Sequence, residues 1–126
     1  VKKLLIVSPH LSTGGLPQVV CKKIEILRND FLIKCIEWDF LSGDYVVQRN
    51  RIIEMLGDNF HSMGDDKRGD LSRILSDFDP DVVCLEEFPE MYMDDHCTSL
   101  IYDKERRWSV TESTHTSTFP PMTKRW

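Results

Sequence analysis

The chain lacks any apolar run near the roughly 20 residues of a membrane span. Its apolar start, Leu4-Leu5-Ile6-Val7, is too short for a signal-peptide core. Positive charge is in deficit: 16 Lys and Arg face 21 Asp and Glu, a net charge of -5. A nucleic-acid binder would instead carry a basic face. Cys21, Cys35, Cys84 and Cys97 form no Cys-x-x-Cys pair, and no Asn-x-Ser/Thr sequon occurs. His10, His61, His96 and His115 are scattered, with no pair at helical zinc-ligand spacing. These absences argue against a membrane span, nucleic acid and bound metal. They also point to a reducing, cytoplasmic setting in which the thiols stay free and act as small hydrophobes.

What is present is ordinary globular composition, 40% hydrophobic and 29% charged over 126 residues, which fits one domain. Strand-like and helix-like segments alternate. Lys3 to Ser8 is continuously apolar, as in a strand buried on both faces. Ser12-Thr13-Gly14-Gly15 interrupts it, and Pro17 stands where a helix takes its first residue. Leu16, Val19, Val20, Ile24 and Leu27 then recur at helical steps. Phe31 to Trp38 reads as a second strand, Val46 to Leu56 as a second helix, and Asn59 to Met63 as a short third strand.

Leu71, Ile74, Leu75 and Phe78 mark a third helix with Asp70 as its expected N-cap and Pro80-Asp81 as its stop. Val82 to Leu85 is a fourth strand. Met93, Cys97, Leu100 and Ile101 form a fourth helix, and Trp108 to Thr114 a fifth strand. Alternation of this kind predicts an α/β fold: a Rossmann-like open parallel sheet of about five strands, ordered 3-2-1-4-5, with helices on both faces. Residues 58 to 103 hold thirteen carboxylates against three Lys and Arg, which reads as solvated helix faces. The Pro-containing end, Phe119 to Trp126, offers no helix to cover the last strand, and the chain does not begin with Met. It therefore reads as one piece of a longer protein, inactive and marginally stable when isolated.

Open α/β sheets bind ligands beyond the carboxyl ends of their strands. After the first strand comes Ser8-Pro9-His10-Leu11-Ser12-Thr13-Gly14-Gly15, where paired glycines let backbone approach a ligand and a helix N-terminus follows. A plain turn would also need those glycines. After the fourth strand comes Glu86-Glu87-Phe88-Pro89-Glu90, acids able to accept from sugar hydroxyls or simply to cap the next helix. After the fifth comes Thr114-His115-Thr116-Ser117-Thr118, one imidazole among four hydroxyls, suited to a polyol or a phosphate.

Taken together, Val7 to Leu16, the Asp79-Pro80-Asp81-Val82-Val83 entry with its acidic loop, and Val110 to Thr118 resemble the acceptor-side half of retaining GT-B glycosyltransferases, above all glycosyltransferase family 4. The matches run in order over nearly the whole chain. The resemblance implies transfer of a sugar from a nucleotide-diphosphate donor, a co-substrate rather than a cofactor, to a carbohydrate or polyol acceptor. By position, Gly14 and Gly15 would meet the diphosphate, and His115 would be catalytic with Thr116 and Ser117 beside it. His10 and Glu87 would contact the acceptor. The donor nucleotide and a Glu-x7-Glu motif belong to a C-terminal domain that this chain does not contain.

Two other classes compete. A nicotinamide- or flavin-dependent Rossmann enzyme would use Glu37 and Asp39 at the end of the second strand to hold a ribose. Its tight Gly-x-Gly-x-x-Gly turn is absent. A non-enzymatic flavodoxin-like receiver or interaction module needs an Asp at the tip of the third strand, where this chain has His61-Ser62-Met63-Gly64.

Overall fold

The structure, a computed structural model, describes residues 1–11, 16–39, 47–86 and 93–113. Five strands, β1 (Lys2–Ser8), β2 (Phe31–Glu37), β3 (Phe60–Ser62), β4 (Val82–Glu86) and β5 (Ser109–Ser113), alternate with four helices, α1 (Leu16–Leu27), α2 (Val47–Leu56), α3 (Lys67–Phe78) and α4 (Asp95–Ile101). The sheet is parallel throughout in the order β3-β2-β1-β4-β5, the order the alternation predicts. Its fold is α/β and Rossmann-like.

Strand β1 is central because its side chains are apolar on both sides of the pleat. Leu4 and Ile6 pack beneath α1 and α2 with Ile24, Ile33 and Cys35, while Leu5 and Val7 pack beneath α3 and α4 with Ile36, Leu71, Val83 and Ile101. Alternate residues on one strand thus feed two separate cores, as the two-residue period of a strand requires. Crossovers to β2 and β3 lie on one face and those to β4 and β5 on the other. The direction of winding reverses between β1 and β4, which defines the switch point.

Several boundaries differ from the sequence expectation for local reasons. The N-cap of α3 is Asp66, whose carboxylate accepts from the Gly69 amide at 3.1 Å, so Asp70 lies in the first helical turn. The polar Lys67-Arg68 start carries no apolar periodicity and hid that turn. Helix α3 ends at Asp79, which adopts the left-handed conformation (φ 50°), one residue before Pro80. Asp94 caps α4 through the Cys97 amide, leaving Met93 buried but outside the helix. Trp108 precedes β5 and donates from Nε1 to the Ile101 carbonyl at 2.9 Å. All four cysteines are buried and free. Among the described residues, no helix is long and apolar enough to cross a membrane.

At the opposite, amino edge of the sheet, Arg107 ties the entries of β4 and β5 together. It donates to the Asp79 carboxylate and carbonyl, to the Pro80 carbonyl and to the Asp81 carboxylate. Asp81 in turn accepts from the Lys3 amide at 2.8 Å. The Asp79-Pro80-Asp81 entry is therefore a splice joining β1, β4 and β5 at the end remote from the carboxyl edge.

Candidate functional site at the carboxyl edge

Because every strand is parallel, β1, β4 and β5 end on one edge, at Ser8, Glu86 and Ser113. These are the strands that carry the three loops singled out from the sequence. Of the predicted site residues only His10 is described. Gly14, Gly15, Glu87, His115, Thr116 and Ser117 lie outside the described residues.

The backbone around His10 is fixed by the ends of neighbouring strands. The Ser8 hydroxyl donates to the His10 carbonyl at 3.0 Å, the Trp38 amide donates to the Ser8 carbonyl at 2.8 Å, and the Asp39 amide to the Pro9 carbonyl at 2.9 Å. Pairing of β1 with β2 is thereby prolonged past the last ladder residues. The imidazole is half-buried, and its Nδ1 is shielded from solvent without a hydrogen-bond partner among the described residues. A buried polar atom left unpaired costs on the order of 1–3 kcal/mol, so it calls for an occupant or a functional reason.

Two buried carboxylates, each with a basic partner, flank the switch point. Glu37, at the end of β2, is 0% exposed. Its two oxygens accept from Arg49 Nε at 3.0 and 3.1 Å, and one also accepts from the Ser62 hydroxyl at 3.0 Å. Glu86, at the end of β4, is equally buried and pairs with Lys23 of α1. The same Lys23 Nζ donates to the Ser113 hydroxyl at 2.9 Å, and the Cys84 thiol donates to Glu86 at 3.2 Å. Burial, with the Glu86 charge next in importance, pushes the Cys84 thiol above its ordinary value. It is a packed thiol, held away from the thiolate form.

This arrangement corrects the ribose-binding role considered for Glu37. A carboxylate with no exposed surface, bonded to Arg49 and Ser62, has no free face for a ribose. Asp39 is 39% exposed but pairs with Lys67 at 3.1 Å. Sequence reasoning missed Arg49 and Lys23 as partners of these acids. Both sit on helices among other charged residues, and nothing in their spacing announces an inward turn.

A second unpartnered imidazole lies on β3. His61 Nε2 is buried without a partner, in a cleft of about 260 Å³ between β3 and α3 that also exposes Lys34, Asp70, Arg73 and Asp77. Burial lowers the His61 pKa, and nearby Lys34 lowers it further, favouring the neutral ring. On the α1 face, a cavity of about 270 Å³ between α1 and β5 is lined by Leu4, Ile6, Leu27, Phe31, Val82 and Thr111. Among the described residues, no group of three or more His, Cys, Asp or Glu is placed to hold a metal ion. No protein-family model matches the chain, and comparison with curated proteins finds no match.

Proposed function

We propose that this chain is the acceptor-side half of a nucleotide-sugar-dependent retaining glycosyltransferase of GT-B architecture. The observation that carries the reading is the shared carboxyl edge of β1, β4 and β5, where His10 follows β1 beside the switch point. The half-buried His10 ring keeps part of its surface open on that edge, where it suits contact with a sugar or polyol acceptor. In this reading Glu87, Thr116 and Ser117 add acceptor contacts, and Gly14 and Gly15 face the donor diphosphate.

His115 is assigned the catalytic role. As the donor sugar leaves its diphosphate, positive charge grows at the anomeric carbon and negative charge on the leaving oxygens. A ring nitrogen that hydrogen-bonds the donor sugar fixes its angle to the acceptor hydroxyl. The nucleotide itself would be held by a second domain, so sugar transfer belongs to the protein in which both halves are joined. The dinucleotide alternative is the weaker one, because Glu37 is buried against Arg49 and Asp39 is paired with Lys67.

The test is transfer from a panel of labelled nucleotide sugars to saccharide and polyol acceptors by the protein that carries this domain. The expected result is a glycoside formed with retention at the anomeric carbon. Hydride transfer from a nicotinamide, or flavin reduction, with no sugar transfer would replace this reading.

A further inference from the structure

We infer that Lys23 is a positioning residue, a clamp from α1 that fixes the tips of β4 and β5 relative to β1. Its ammonium bonds the Glu86 carboxylate and the Ser113 hydroxyl, the last residues of their strands, and also reaches the Cys84 sulfur at 3.9 Å. Helix α1 belongs to the β1–β2 crossover, so this side chain reaches across the switch point, from the half of the sheet it serves to the other half. Its stem lies against the cavity between α1 and β5, where the sheet face is lined by Val82, Cys84 and Thr111.

Stability alone gives a poor account of this arrangement. Withdrawing Glu86 wholly from water and pairing it with a side chain that is 31% exposed is close to neutral compared with an apolar pair of similar size. What the charged pair supplies is geometry: one donor centre, with three directed N–H bonds, sets the Glu86–Ser113 separation. The register continues into the ladder behind it, where Cys84 faces Thr111 and Glu86 faces Ser113. The consequence for sugar transfer rests on the proposed function, since the loops after β4 and β5 spring from these two residues. The clamp itself does not depend on that reading.

The experiment is backbone hydrogen exchange followed by NMR on this chain, without ligand, for the wild type, Lys23→Met, Lys23→Arg and Ser113→Ala. Exchange of the β4–β5 ladder is compared with that of the β1–β2 ladder in the same sample, and melting is recorded alongside. Lys23→Met is expected to speed exchange at least tenfold in β4–β5 while β1–β2 stays within about threefold. Lys23→Arg, which keeps the charge and the reach, should restore β4–β5 to near wild type. Ser113→Ala should loosen the same ladder with little change in melting, and by less than Lys23→Met, since it removes only one of the bonds that Lys23 makes. If Lys23→Met does not fold, the Ser113→Ala and Lys23→Arg arms decide. Equal acceleration in both ladders, failure of Lys23→Arg to rescue, or an unaffected β4–β5 ladder in Ser113→Ala would overturn the clamp. None of these outcomes bears on whether the protein transfers sugar.

Discussion

Replacing Arg49 by Met is expected to be among the most damaging single changes outside the apolar core. Glu37 has no exposed surface and takes bonds to both of its oxygens from Arg49. With the guanidinium gone, the described donors left to its carboxylate reduce to the Ser62 hydroxyl. Stranding a buried charge in this way costs about 3–5 kcal/mol, against a total stability on the order of 5–15 kcal/mol for a domain. The reverse change is milder. In Glu37→Gln the guanidinium keeps 19% exposure and can turn to water, so the loss should be about 1–2 kcal/mol.

The double variant, Arg49→Met with Glu37→Met, removes both charges and fills the space with apolar side chains of similar length. It should recover to within about 1 kcal/mol of wild type, a clear departure from additivity. Urea unfolding reads all four proteins. With a slope of roughly 2 kcal/mol per molar, Arg49→Met should move the midpoint down by about 2 M. A loss under 1 kcal/mol for Arg49→Met, or a double variant equal to the sum of the singles, would refute the buried-pair argument.

Four further outcomes are expected. Gly69→Ala, ordinarily worth up to about 1 kcal/mol of helix stability, should fail to stabilise α3, because the new Cβ would land on the Asp66 carboxylate that caps the helix; thermal melting checks it. Stability should fall on acidification. Asp70 is held low chiefly by Arg73, Asp81 by the Lys3 amide and Asp94 by the Cys97 amide, so their contribution is full above about pH 4 and is lost as pH drops through the lowered folded values; melting from pH 7 to pH 3 should show this. The four thiols should react with a disulfide reagent far more slowly in the native chain than in urea, since burial raises each of them, Cys97 to about 12. For the proposed transferase, His115→Ala should lower kcat about a hundredfold or more while melting barely moves, and near wild-type kcat would remove His115 from the site.

Much of the fold was legible because it rests on period and punctuation. The unbroken apolar run of β1 marks a strand with a core on either side, and the alternation of elements with right-handed crossovers gives the sheet order. Helix starts were less legible. Asp66 and Asp94 cap through side-chain geometry, while the apolar pattern that a reader follows begins too late for α3, at Leu71, and too early for α4, at Met93. Burial of the two acids was illegible, since Glu37 and Glu86 look like any carboxylate at the end of a strand until Arg49 and Lys23 arrive from helices 12 and 63 residues away. The edge that should bind ligand followed from the topology. The proposed role of His10 there came from the resemblance, and its shielded nitrogen is a feature only three-dimensional packing could supply.

The measurement that bears most directly on the central claim is an NMR titration of the chain itself, following the imidazole signals of His10. Monosaccharides, disaccharides and polyols form one arm, NAD and FMN the other. The account predicts a saturable shift of the His10 ring with at least one sugar or polyol, lost in His10→Ala while the rest of the spectrum is preserved. No response to any sugar, or a saturable response to NAD or FMN in its place, would contradict it.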